Sequence, residues 1–534
     1  LRPKFRKIST WLKYRKDFHH YVYVIGLASL GACLSLSVYV ISVSVFVLVA
    51  NWLLEGNLAH KFLQIYRRKS LFLLLSIFLL YVLGMAWTEN LMDGTKRILS
   101  LMPFVAMTII LGTTPPVSKK ELKFILLVFI IATFISSFLG LGKYFGLFGP
   151  AITDIREISM FIYIGYLALM VNFAILILFY FIAYNYFRAT IREIISYSIL
   201  IVLFVFFIFF LRSLMGIVVF FIVFPVFLIL LIPKVHSSFL QHILYLIPVI
   251  LVLSAMILVS VSLIRYYKVH NEELTDLEPF TVNGNEYYHD TDSKQIENGH
   301  YVWIYVCEKE LKKEWNEISR FSYEGLDKKG QYIKYTLIRY MTSKGLRKDS
   351  MSVHQLNLKD IDLIESGYAN YIFSNKFGLY QRIYQIIWEI DNYHKTGEVF
   401  SHSVTQRIAF TKQVFKIFRN HLLFGVGTGD VRQCMIRQSK MDNLQFQEAW
   451  IGQPHNQYLN FLATFGLVGF CWIFFALIYP LFQEKKQNIL LFNMFLILYM
   501  ISMFSFDMFD AHVGISFFAF FYSLFLYHWK PAQG

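Results

Sequence analysis

Residues 196–232 read SYSILIVLFVFFIFFLRSLMGIVVFFIVFPVFLILLI, an apolar stretch with one charge, Arg212, near its middle. As a single helix it would run to roughly 55 Å, nearly twice the hydrocarbon thickness of a bilayer. Two spans joined by a turn at Leu211-Arg212-Ser213 resolve the mismatch and set the guanidinium at a membrane boundary. The same reading extends outward in both directions. Apolar runs at 21–36, 38–54, 71–88, 98–112, 122–141, 159–184, 196–211, 214–232, 243–264, 454–479, 489–506 and 513–528 predict an all-α polytopic membrane protein with about twelve transmembrane helices. The first two runs form one block, too long for one perpendicular span, and a turn near Ser35–Ser37 divides it. No small-residue cleavage site stands out, so the first run reads as a retained helix.

Composition agrees. The chain is 56% hydrophobic, 18% aromatic and 16% charged, against about 25% charged in soluble domains. The net charge of +15 does not mark a nucleic-acid binder, because its distribution is wrong for one. Between 265 and 453 about 25 Lys and Arg face about 24 Asp and Glu. The excess sits in short loops instead. The N-terminus, 55–70, 113–123, 185–195, 233–242, 480–488 and the C-terminus hold about 20 Lys and Arg, and the opposite short loops about five. The positive-inside rule puts both termini in the cytoplasm, the orientation signal of an inner-membrane protein, and faces 265–453 outward.

The predicted organisation is therefore a transmembrane region over 1–264 with about nine helices, a periplasmic domain over 265–453, and a transmembrane region over 454–534 with about three. The 265–453 insertion is polar, with turn signals at Asn283-Gly284 and Lys329-Gly330. Segments 332–344, 378–394 and 402–420 have helical patterns, so the domain is mainly helical and long enough to bury its own core. Cys307 and Cys434 lie within it and could pair in an oxidising compartment.

Three residues stand out chemically. Arg212 is costly at a membrane boundary without a partner, and either lipid headgroups or a bound anion can supply one. Arg407 lies three residues before Phe410, on the face that continues through Val414, Ile417 and Phe418. A cation on a packed face pairs with a protein carboxylate or with an anionic ligand. Arg419 is nearby as a lesser candidate. His455 stands in Pro454-His455-Asn456-Gln457-Tyr458-Leu459, where the insertion returns to the membrane. An imidazole there can cap a helix, touch headgroups, or act as a base near pH 7. Arg212 and the insertion are separated by two crossings, and His455 begins the next, so all three share one side.

Other signals are weaker. Gly425-Val426-Gly427-Thr428-Gly429-Asp430 has the look of a phosphate loop but lacks the strand and the Lys-Ser/Thr pair, so a tight turn is the better reading. Asp290 with Asp292, and Asp360 with Asp362, resemble metal-binding pairs but read as surface acids. No metal cluster is recognisable.

The stretch from Arg407 to Gly469 resembles the O-antigen ligase and O-antigen polymerase superfamily of bacterial membrane proteins. The matching pieces are Arg407 before a helix, His421-Leu422-Leu423-Phe424-Gly425-Val426-Gly427-Thr428-Gly429, His455-Asn456-Gln457-Tyr458-Leu459, and Phe465-Gly466-Leu467-Val468-Gly469. Phe210-Leu211-Arg212-Ser213-Leu214 is similar to the superfamily's other arginine segment, which more often reads Ser-Arg-Gly. The resemblance implies a fold related to the C-type membrane glycosyltransferases. It also implies inverting glycan transfer from an undecaprenyl-pyrophosphate carrier, without metal or other cofactor. A ligase delivers the glycan to a lipid A-core sugar, and a polymerase to another carrier-linked repeat. Protein O-glycosylation and lipid-glycan transport are further alternatives. By the same resemblance Arg212 and Arg407 grip the pyrophosphate and His455 activates the acceptor hydroxyl, with Arg419, Asn456 and Tyr458 in the substrate site.

Overall fold

The structure, a computed structural model, describes residues 2–148, 155–184, 189–211, 213–232, 238–268, 274–374, 379–396, 399, 404–442 and 451–529. Arg212 lies outside the described residues. The chain forms two compact units, one from 1–251 with 407–534, the other from 252–406. The second unit thus begins and ends earlier than the composition change at 265–453. Residues 407–453 belong with the membrane helices because Phe410, Val414 and Ile417 bury against Val426, Val431, Met435 and Ala463.

The first unit contains α1 (Arg2–Leu36), α2 (Val38–Leu54), α3 (Leu58–Arg67), α4 (Lys69–Gly84), α5 (Leu91–Ser100), α6 (Met102–Thr113), α7 (Lys119–Tyr144), α8 (Ile164–Ala183), α9 (Ile191–Leu211) and α10 (Leu214–Leu231). Helix α11 (Ser238–Tyr267) runs across the division. In the second unit follow a two-stranded ribbon, β1 (Ile296–Glu297) with β2 (His300–Tyr301), and α12 (Glu308–Ile318), α13 (Ile333–Ser343), α14 (Ser350–Val353), α15 (Leu358–Glu365) and α16 (Leu379–Thr396). The chain returns through α17 (Val404–Asn420) to α18 (Val431–Met441), α19 (Gln457–Gln483), α20 (Leu490–Ser502) and α21 (His512–Ser523), the last extended by a π-turn over Leu524–His528.

Among the described residues nine helices are long and apolar enough to cross a membrane, or ten if the bent pair α2–α3 is one span. The expected twelve are not all reached, because three apolar runs form shorter helices. Helix α2 is separated from α1 at Ser37, whose hydroxyl caps it, and meets α3 at 109°. Segment 55–70, expected as a loop, is thus largely helical. The run at 489–506 gives only the 13-residue α20, because Met503 to Ala511 leave the helix as turns and bends. The run at 513–528 lies in α21 and its π-turn.

Phenylalanine packs the centre of this unit. Phe173 of α8, Phe495 of α20 and Phe517 and Phe521 of α21 meet at ring-centroid distances of 4.8–5.9 Å. In lipid, where tails are as apolar as side chains, such close packing and polar contacts hold helices together.

Polar contacts join several of the loops. Arg68 donates to both carboxylate oxygens of Glu484 at 2.7 Å and to the Gly112 carbonyl at 2.7 Å. His20 meets Glu121 at 2.7 Å, Lys123 pairs with Glu193, and Lys486 donates to the Trp529 carbonyl. Among the described residues these contacts join the N-terminal segment, 55–70, 113–123, 185–195, 480–488 and Trp529. The turns at 84–90, 424–430, 453–456 and 503–511 cross-link one another separately, as described below.

The second unit has its own core of Trp315, Tyr323, Leu337, Tyr340 and Met341, all essentially inaccessible. Gly284 and Gly330 take the positive φ their turns require. All four cysteines are free.

Candidate active site

Helix α19 starts where the chain turns back into the membrane unit. Asn456 is its N-cap, its side chain accepting from the Leu459 amide at 3.1 Å. His455, just before the cap, sits at φ 55°, a left-handed conformation uncommon for a side chain other than glycine. Asp507 holds it there. One Asp507 oxygen accepts the His455 backbone N–H at 2.7 Å and lies 3.6 Å from the imidazole Nδ1. The imidazole is 42% exposed while the carboxylate is 7% exposed, so a buried acid backs an accessible ring.

Asp507 belongs to the 503–511 loop between α20 and α21. Its other oxygen is buried with no hydrogen-bond partner among the described residues. Burial, and then the Asp510 carboxylate nearby, push its pKa up to about 7. Asp510 faces a second set of groups. It lies 3.8 Å from the guanidinium of Arg97 on α5 and accepts from Asn460 and Gln457 of α19. Arg97 also donates to Gln453 at 2.9 Å and to Asn460 at 3.3 Å. Gln457 returns to the loop by accepting from the Phe509 amide at 2.8 Å.

Arg407 reaches the same loop, donating to the Ser505 hydroxyl from the first turns of α17. The loop is further packed by Phe506, whose ring lies 6.0 and 5.6 Å from Tyr163 and Tyr166 at the start of α8. Further along α8, Asn172 donates to the Gly216 carbonyl at 3.0 Å, fixing the start of α10 just after residues 212–213. Helix α10 is capped by Ser213.

The structure thus brings His455 and Arg407 to one loop. Arg419 is exposed near the end of α17. The Tyr458 hydroxyl donates to the Met500 carbonyl at 2.7 Å and its ring stacks on Phe474, so it ties α19 to α20. Asn456 uses its side-chain oxygen as a cap. Arg97, Asp507 and Asp510 are absent from the candidates read in the sequence. The available signal for the two acids is their place in Phe506-Asp507-Met508-Phe509-Asp510, an otherwise apolar segment between the last two runs.

The glycine-rich segment has another purpose. Gly466 breaks α19 at φ 64° and ψ −169°. The break frees carbonyls before it and amides after it, and residues 422–427 satisfy both. Val426 and Gly427 donate to the Ala463 and Thr464 carbonyls at 2.8 and 3.0 Å. Leu467 and Val468 donate to those of Leu422 and Leu423 at 2.8 and 3.2 Å. A Cβ at Gly466 would stand 2.2 Å from Leu423 backbone, and one at Gly425 2.4 Å from Thr464 backbone. Asp430 then accepts from the Glu89 and Asn90 amides, both at 2.8 Å, at the start of α5. The loop therefore fills a helix break and positions the helix that carries Arg97.

The acid pairs also have local partners. Asp290 accepts from the Asp292 and Ser293 amides. Asp360 is buried, not a surface acid, and binds Tyr340, Lys344 and its own helix N-terminus. Among the described residues no group of three or more His, Cys, Asp or Glu side chains is placed to hold a metal ion.

Comparison with curated proteins gave no match. Residues 366–474, which include Arg407, the glycine-rich loop, His455 and the break at Gly466, match the family model described as O-Antigen ligase. The chain thus carries a segment similar to the O-antigen ligase family, and its described residues include nine helices long and apolar enough to cross a membrane.

Proposed function

We propose that this chain is an inverting, metal-independent ligase. It moves a glycan from undecaprenyl pyrophosphate to a lipid A-core acceptor at the periplasmic face of the inner membrane. The observation that carries the reading is the convergence of His455, Arg407 and the buried Asp507 on one loop, inside and beside the segment that matches the family. In this reading the acceptor hydroxyl attacks the anomeric carbon from the face opposite the pyrophosphate. The new C–O bond forms as the bond to the pyrophosphate oxygen breaks. The hydroxyl proton passes to the far nitrogen of the His455 imidazole, and Asp507 beside Nδ1 stabilises the imidazolium. Arg407 and Arg212 take up the charge on the departing pyrophosphate, a task suited to the planar guanidinium fork.

The glycan profile of a deletion strain separates ligase from polymerase. Ligase predicts loss of polymer from lipid A with polymer retained on the carrier. Single-repeat capping means polymerase instead. In a reconstituted assay with purified lipid-linked donor, turnover persists in excess chelator. A divalent-ion requirement restored by adding metal back overturns the metal-free chemistry.

A further inference from the structure

Helix α16 carries Trp388, Asp391, Asn392 and Lys395 at positions i, i+3, i+4 and i+7, which is one helix face. In the second unit this face walls a cleft of about 340 Å³, opposite residues 292–296. The volume falls in the range of small-ligand sites, roughly 300–1,000 Å³.

The cleft's side chains are held in place. The Arg339 guanidinium lies over the Trp388 ring, 4.5 Å from its centroid. Glu297, fully buried, accepts from Arg339 Nε at 2.9 Å and Nη2 at 2.7 Å. A salt-bridged cation thus braces the indole. Buried Asp391 accepts from the Tyr266 hydroxyl at 2.8 Å and from Lys395 Nζ at 2.7 Å. Lys395 also donates to the Lys294 carbonyl at 3.0 Å, joining the two walls. Groups fixed in advance lose little freedom when a ligand arrives.

The chemistry of the lining narrows the ligand. Asp292 and Asp391 balance Lys294 and Lys395, so the cleft carries no net charge to favour a phosphate or a polyanion. An aromatic wall beside carboxylate, amide and ammonium groups suits a ring with one apolar C–H face and a rim of hydroxyls. We propose that this cleft is a glycan-binding subsite that takes a pyranose ring against Trp388 and its hydroxyls at the polar rim. It rests on the transferase reading for its biological sense, as a hold on the glycan.

The probe is the oligosaccharide released by mild acid from the lipid-linked glycans of cells that make this protein. Binding is followed by saturation-transfer NMR with the full-length protein in detergent. Wild type binds, and Trp388→Ala binds tenfold or more weakly, as expected when a central aromatic contact is lost. Ser293→Trp fills the cleft from a partly exposed position outside the core and also abolishes binding. His455→Ala binds like wild type. The proposal is overturned if Trp388→Ala and Ser293→Trp both bind normally, or if a wild-type preparation competent in transfer shows no binding. A preparation that binds through Trp388 but transfers nothing supports the subsite and sinks the transferase reading instead.

Discussion

Residues 422–427 spend backbone hydrogen bonds on the gap in α19, whereas residues 503–511 direct their side chains to His455, Arg407 and Arg97. The glycine segment has the spacing of an anion cradle, and its amides at 426–428 are already taken by helix carbonyls. The 503–511 loop resembles an ordinary connection between apolar runs, and it holds two buried carboxylates. Donor spacing in a sequence says nothing of whether the donors are free. A charge in an apolar context, by contrast, must find a partner or a function, because burying it alone is costly. The glycine segment should therefore govern whether the protein folds, and the carboxylate loop whether the folded protein works.

The largest effect belongs to the break in α19 that the glycine segment fills. Gly466→Val combines a left-handed backbone with a Cβ 2.2 Å from Leu423 backbone. It costs about 3 kcal/mol or more, and folded protein is lost on size-exclusion chromatography in detergent. A well-folded Gly466→Val variant would erase the distinction between the two loops.

Next come the groups at the 503–511 loop. His455→Ala lowers turnover by roughly 10² to 10⁴, with the effect on the chemical step rather than on donor binding. Arg407→Lys lowers it by about a hundredfold, because the ammonium keeps the charge and loses the fork. Both variants stay folded and inserted. Near-normal rates in both place the chemistry elsewhere.

Asp507→Asn sharpens the contrast, because activity and stability move in opposite directions. Burial raises the Asp507 pKa to about 7, above an ordinary aspartate value of about 3.9. Between those values the folded state binds more protons than the unfolded state. Stability therefore falls as pH rises through this window, and the ionised carboxylate is a burden above it. The amide removes that burden, so the thermal midpoint of Asp507→Asn at pH 8 is higher than wild type. Its turnover is lower by about tenfold or more, since the imidazolium loses its counter-charge. Wild-type turnover also declines as pH drops through about 7, where Asp507 takes up a proton. A lower midpoint together with unchanged turnover would falsify the role assigned to Asp507.

The smallest effect tests the edge of the site. Arg419 is exposed near the end of α17, and Arg419→Ala changes turnover by no more than about threefold, as expected for a screened surface cation. A loss comparable to that of Arg407→Lys would extend the anion site along the helix.

Hydrophobic length, helical periodicity and loop charge are local or additive quantities. They were enough to read the membrane class, the break at Ser37, and the helices at 333–343, 379–396 and 404–420. His455 and Arg407 were also legible, because a titratable ring at a helix start and a cation on an apolar face are local anomalies. What surrounds them emerged only from the packed chain. Asp507 lies 52 positions from His455, and Asn460 lies 363 positions from Arg97. No periodicity links residues so far apart. They meet because Gly466 interrupts α19, residues 422–427 satisfy the opened backbone, and Asp430 anchors the start of α5. Backbone groups freed inside an apolar unit must be paired, and the chain that pairs them fixes which helices, and which charges, come together.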